Sequence, residues 1–294
     1  MHEHEVKDDH GTKNLKLAFF LNLGFTLLEF IGGYLSNSVS ILSDAVHDLG
    51  DSLSLGLAWF LQNKSNQKSD SAFSFGYARF SLLGALINSL VLILGSIWII
   101  SEAIERFRHP ELSHANEMIV FAILGVLVNG FAAWKLSSSK SMNEKVISWH
   151  LIEDVLGWTA ILMAAIVLKF YETPYLDPAL SILITLYILF GVTKRLKETL
   201  FLFLQGVPKG IDLKSLENEI LGVSKIASMH NTHIWSLDGE KHVFTAHLKL
   251  KNISDFQEII RTKDQVKDII KQHGFHHYTL ETELDHESCD FSSE

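Results

Sequence analysis

Two pairs of residues, His47 with Asp51 and His150 with Asp154, share the spacing H-x-x-x-D, each in a stretch otherwise apolar enough to cross a membrane. A His and an Asp four apart on a helix differ by about 40° around the axis and about 6 Å along it. Each pair therefore points one imidazole and one carboxylate the same way. Two such helices face to face offer nitrogen and oxygen ligands in a tetrahedral set suited to a divalent metal such as zinc. Charged side chains in hydrocarbon are costly and mark function. Simple hydrogen bonding between helices accounts for Asn22, Asn88 and Asn129, but not for a duplicated spacing. Titratable groups converging at one depth repel, or hold protons, unless a cation neutralises them.

Around each pair the pattern continues. Asp44, His47, Asp48 and Asp51 fall within an arc of about 100° and form one polar stripe. His150, Glu153 and Asp154 share a face beside Gly157, which admits a close helix neighbour. Glu29 and Asp177 read equally as cavity-lining or proton-passing groups and as carboxylates paired at an interface or with backbone. His2, His4 and His10 belong to an acidic stretch that reads as solvated rather than as a metal trap. Further on, His230, His233, His247, Glu281 and Glu283 sit on expected strands, and His230 and His247 are neighbours if those strands pair. A soluble His is more often structural than a ligand, so metal binding there is the less favoured reading.

The 294 residues, 47% hydrophobic, divide into an apolar part up to about residue 205 and a charged, polar remainder. Net charge of −9 argues against nucleic-acid binding. The one cysteine, Cys289, excludes a disulfide within the chain and a Cys-rich zinc module. The opening MHEHEVKDDHGTKNLK is unlike the n-region of a cleaved signal peptide, so the first apolar helix is expected to remain. There is no H-E-x-x-H, G-x-S-x-G or P-loop, so a pump would draw on a gradient rather than on ATP.

Six apolar segments are expected as membrane helices: Leu15–Leu35, Val39–Leu61, Phe80–Ile104, Glu117–Leu136, Val146–Phe170 and Pro178–Leu196. Lys7, Lys13 and Lys16, then Lys64, Lys68 and Arg79, then Lys135, Lys140 and Lys145, then Lys194, Arg195 and Lys197 mark one side as basic. The other side offers Arg106, Arg108 and Lys169, so both termini are expected in the cytoplasm. From Val207 the expected elements are a helix at Leu213–Leu221, strands at His230–Leu237 and Val243–Leu250 around an Asp238-Gly239 turn, a helix at Ser254–His273 and a strand at His277–Leu284. That order suggests a small α+β domain with helices on one sheet face. The expected division is a polar cytoplasmic tail over 1–14, a six-helix membrane domain over 15–206, a cytoplasmic domain over 207–286 and a disordered tail over 287–294.

These residues resemble the cation diffusion facilitators, proton-coupled zinc exporters. The resemblance covers nearly the whole chain. It runs through E-F-I-G-G-Y-L-S-N-S-V-S-I-L-S-D-A-V-H-D-L-G-D from Glu29 to Asp51, S-F-G-Y-A-R from Ser74 to Arg79, and H-L-I-E-D-V-L-G from His150 to Gly157. Q-G-V-P at Gln205–Pro208 and H-N-T-H-I-W-S-L at His230–Leu237 support it. It implies a homodimer with six transmembrane helices, a cytoplasmic ferredoxin-like domain and a transport site at His47, Asp51, His150 and Asp154. Histidine at position 47 is the family pattern associated with zinc over cadmium.

Departures from the pattern matter too. A loop site of one Asp and two His in some relatives retains Asp70 here but has Phe73 and Tyr77, so its absence is expected. An ion pair matching Arg79 and Gln205 cannot form. In the cytoplasmic domain His230, His247 and Glu283 match ligand positions, Glu281 stands where some relatives carry His, and a His of the longer helix is missing.

The resulting expectation is Zn2+ efflux across the plasma membrane, the inner membrane of a bacterium, in exchange for protons. Zinc is then the substrate, and a regulatory ligand only if the cytoplasmic cluster binds it, with no organic cofactor. The alternatives are export of cobalt, cadmium, manganese or iron by the same machinery, and a membrane-embedded zinc enzyme, which needs an open coordination position and a base such as Glu153 or Asp48.

Overall fold

In hydrocarbon a helix satisfies its backbone hydrogen bonds internally, so apolar runs of this length fold as helices. A computed structural model describes residues 5–65, 67, 69–137, 142–284, 287 and 289. The long helices are α1 Glu5–Ser36, α2 Val39–Ser65, α3 Phe80–Arg108, α4 Ala115–Ser137, α5 Met142–Phe170 and α6 Leu176–Phe203. Each extends past its apolar segment, because hydropathy detects the greasy middle of a helix and not its polar end turns. Helix α1 thus begins inside the stretch expected as a polar tail; His2, His4 and the His10 side chain lie outside the described residues. Five helices, all but α2, are long and apolar enough to cross a membrane. Asp44, Asp48 and Asp51 interrupt the apolar character of α2.

The chain divides into two compact units, residues 1–63 with 84–196 and residues 64–83 with 197–294. In the first, α4 and α5 approach closely enough that a Cβ at Gly125 would meet the Trp158 ring at 2.1 Å. Trp158 is buried there with Met118, Ala122, Ile161 and Ala165. Val39 and Val46 of α2 pack with Ile99 and Ala103 of α3. Large apolar side chains such as Leu94, Leu127, Leu183 and Phe190 stand exposed on the outside, as lipid-facing residues do. The start of α2 is tied to α6: Asp177 accepts hydrogen bonds from the Val39 amide at 2.7 Å, the Ser38 hydroxyl at 2.7 Å and the Ser40 hydroxyl. Of the two readings of Asp177, the pairing with backbone and hydroxyl donors is the one observed. At the same turn Asn37 has a positive φ of 50°, and Arg106 donates to its carbonyl at 2.8 Å and its side-chain oxygen at 2.7 Å.

The second unit holds α7 Leu213–Leu221, β1 Ile226–Ser236, β2 His242–Leu250, α8 Phe256–Gln272 and β3 Phe275–Glu283. Asp212 and Asp255 cap the two helices by accepting from first-turn amides. The sheet order is β1-β2-β3, with β1 antiparallel and β3 parallel to β2. Phe244, Ala246, Leu248 and Leu250 alternate along β2 and bury against Leu216 and Ile220 of α7 and Val266 and Ile270 of α8. Thr245, His247 and Lys249 therefore occupy the opposite face. Residues 64–83 belong with this unit because Phe75 packs edge-on to Trp235 and His277, and Ala78 is buried with Leu237 and Val243.

Candidate metal centre

Helices α2 and α5 bring the two H-x-x-x-D pairs together. His150 Nε2 lies 2.7 Å from Asp51 Oδ2, across the two helices. His47 Nε2 is 3.7 Å from Asp51 Oδ2 and 4.0 Å from Asp154 Oδ1, and His150 Nε2 is 3.9 Å from Asp154 Oδ2. The imidazole rings stand 5.8 Å apart, edge to face. His47, His150 and Asp154 offer ligand atoms mutually within 4.8 Å, and so do His47, Asp48 and Asp51. Nitrogen and carboxylate donors at this spread are those a tetrahedral zinc site uses. Gly157 plays the part its spacing suggests, since a Cβ there would stand 3.7 Å from Asp44 Oδ1, so α5 meets α2 through a small residue.

The remaining carboxylates separate into distinct environments. Glu153 is exposed. Glu29, Asp44 and Asp48 are buried together between α1 and α2. Beside them Asn22 donates to the Asp48 carbonyl at 3.2 Å and to Ser52 at 3.0 Å, the interhelical role expected of an isolated Asn. Asp70, in the second unit, has its oxygens taken by the Tyr77 hydroxyl at 2.7 Å and the Ala72 and Phe73 amides at 2.8 Å. Those hydrogen bonds, the Tyr77 hydroxyl foremost, hold its carboxyl below the ordinary range.

A second cluster lies on the open face of the sheet. His230 and His247 are register partners on β1 and β2, with rings 5.4 Å apart. Glu283 Oε1 is 2.9 Å from His247 Nδ1 and 3.2 Å from His230 Nε2. Burial pushes the Glu283 carboxyl up, but hydrogen bonds with Cys289 and His247 and the nearby imidazoles outweigh it and leave it below its usual value, hence ionised at neutral pH. Glu281 faces the same way, yet its side chain is 66% exposed at the rim, 3.6 Å from His247 Nε2. Cys289 enters instead, its Sγ 3.4 Å from His247 Nδ1, and His230, His247, Glu283 and Cys289 offer ligand atoms mutually within 4.8 Å. Two imidazoles, a carboxylate and a thiol fit zinc. Next to them β1 is irregular between His230 and His233, where Asn231 takes a positive φ of 48° and its amide reaches His247 Nε2 at 3.2 Å. His233 contacts the Asn231 side chain and stays outside the cluster. Spacing gave no cue to Cys289, which follows the last strand and reaches back only in three dimensions.

A helical unit with membrane-length apolar helices and paired His and Asp on facing helices, together with a small α+β unit, is an arrangement suited to metal transport. Residues 15–204 match the cation efflux transmembrane domain. A cadmium, cobalt and zinc/H(+)-K(+) antiporter of Bacillus subtilis (strain 168) is 32% identical over 289 residues, covering 96% of this chain and 92% of that protein. The zinc transporter ZitB of Pectobacterium atrosepticum is 31% identical over 300 residues, covering 100% and 93%. The metal cation efflux system protein CzcD of Cupriavidus metallidurans is 34% identical over 238 residues, covering 80% and 75%. The chain belongs to the cation efflux, or cation diffusion facilitator, family. It is accordingly a multi-pass membrane transporter and not an enzyme.

Proposed function

We propose that this protein exports Zn2+ from the cytoplasm in exchange for protons, binding the ion at His47, Asp51, His150 and Asp154. The observation that carries the reading is the 2.7 Å contact between His150 Nε2 and Asp51 Oδ2. An imidazolium and a carboxylate at that distance share one proton between them, and the imidazole is left neutral when that proton leaves. Zinc needs those same two atoms as lone-pair donors, so its arrival expels the proton and a proton's arrival expels zinc. A more acidic exterior then favours release. The relatives' names, a zinc transporter and a zinc/H(+)-K(+) antiporter, support both halves of this exchange.

The further elements of the reading rest on the family resemblance: six membrane spans including α2, a homodimer, and both termini in the cytoplasm of a bacterial inner membrane. The order α-β-β-α-β is that of a ferredoxin-like domain lacking its first strand. The expected assay outcome is Zn2+ accumulation in proteoliposomes driven by an imposed pH gradient, with Zn2+ ahead of Cd2+, Mn2+ and Fe2+ in a panel. Transport indifferent to the gradient sinks the exchange, and a different leading metal sinks the zinc assignment.

The cytoplasmic cluster is then a regulatory zinc site, with Cys289 taking the place assigned from sequence to Glu281. Metal there biases transport only if it prefers one arrangement of the paired domains. His247→Ala or Cys289→Ser should weaken the corresponding zinc binding by about a hundredfold or more in titrations of the full-length protein, whereas Glu281→Ala should change it less than threefold. Transport should persist in all three with an altered dependence on cytoplasmic zinc. Equal effects of Glu281→Ala and Cys289→Ser would overturn the ligand assignment.

A further inference from the structure

We infer that Glu29, Asp44 and Asp48 form a second cation site in the membrane unit, built only of oxygen, in which Asp48 also lies within reach of His47 and Asp51 of the four-ligand set. The three carboxylates offer oxygens mutually within 4.8 Å, and each residue is at most 6% exposed. Neither oxygen of Glu29 accepts a hydrogen bond from a donor, nor does Asp44 Oδ2, although all three atoms are buried. Glu29, on α1, is therefore met by no amide or hydroxyl donor and is aimed at two acids of α2, with Asp48 within hydrogen-bonding reach. Buried carboxylates left in that state are strongly destabilising unless a cation or protons complete them.

The donor set decides which cation. Oxygens around one ion at 2.1–2.6 Å stand at most about 5 Å apart, which accommodates the observed spread. Three carboxylates with neither nitrogen nor sulfur favour a hard divalent ion over zinc's preferred imidazoles. A charge of up to −3 calls for a divalent rather than a monovalent partner.

Asp48 also gives a ligand atom to the group with His47 and Asp51. It follows that a divalent ion passes between the two sites by exchanging the oxygens of one residue, without a dehydrated gap. Asp44 and Asp48 each lie three residues before His47 and Asp51, about 4.5 Å along α2. That passage rests on the export reading; the existence of the site does not.

The test is Mn2+ binding to the full-length protein in lipid nanodiscs, followed by electron paramagnetic resonance. Wild type should bind one more Mn2+ per chain than Glu29→Gln or Asp44→Asn, and a His47→Ala/His150→Ala double variant should retain that ion. An unchanged Mn2+ count in the two carboxylate variants overturns the site, as does no bound Mn2+ in wild type. Loss of the ion in the double-His variant assigns it to the four-ligand set and overturns the site equally. The tetrahedral Co2+ absorption band, which needs the His-containing set, reports whether the carboxylate variants are folded. If they are not, Glu29→Asp keeps the charge but withdraws the oxygens by one methylene, and should weaken Mn2+ about tenfold; unchanged affinity overturns the site. Failure here with transport intact leaves zinc export standing, and the converse leaves the site standing.

Discussion

Replacing Asp51 or Asp154 by Ala should abolish zinc transport while leaving a folded protein. In metal sites generally, removal of even a supporting partner of a ligand costs about 10- to 100-fold in metal affinity, so loss of a ligand here should exceed about 100-fold. Folding should survive because each substitution removes a negative charge from a crowded site. Asp51→Ala deprives His150 of its 2.7 Å partner, but that imidazole is 39% exposed and water can replace the lost contact. Among the described residues Asp154 meets the two imidazoles at 3.9 and 4.0 Å, so its loss should leave the surrounding packing intact. Proteoliposome flux together with thermal unfolding of the purified variants separates the two effects. Robust flux by either variant would mean that the ion does not bind here.

His47→Asp should change which metal is carried. The substitution replaces a nitrogen donor by a harder oxygen, shortens the side chain and adds negative charge beside Asp48, Asp51 and Asp154. Zinc loses its imidazole, whereas larger ions tolerate an oxygen-rich site of irregular geometry. Cadmium or manganese flux should rise about tenfold relative to zinc when the variant is compared with wild type in the same vesicles. An unchanged ranking would show that His47, although 3.7 Å from Asp51, is not a ligand.

The transmembrane cluster was legible because helical geometry converts spacing into direction. H-x-x-x-D fixes the relative orientation of two side chains before any neighbour is known, and the apolar setting makes a casual placement expensive. The strands of the α+β domain were legible through alternation, which puts His247 on the face opposite Phe244 and Ala246. Cys289 was not, because it follows the last strand, and nothing local to a chain end states what it folds back upon. Asp177 was equally opaque. Its partners Ser38, Val39 and Ser40 lie more than 130 residues away in sequence, and a carboxylate at the start of a helix has several ordinary uses. Glu29 shows the same limit, since its meeting with Asp44 and Asp48 depends on how α1 packs on α2, which no periodicity within α1 reports.

The hold of Asp177 on the first residues of α2 has a mechanical consequence. Four donors converge on one buried carboxylate, so sliding α2 along α6 requires all of those hydrogen bonds to break at once. Rotation about the same point keeps them. The ligand-bearing stretch from Asp44 to Asp51 would then swing as an arm hinged at its N-terminal end once the Ser43–Thr185 contact at 2.8 Å gives way. Angular travel is least at Val39 and grows toward Ser65, so a small swing at the pivot opens the far end while barely disturbing the atoms nearest the fulcrum.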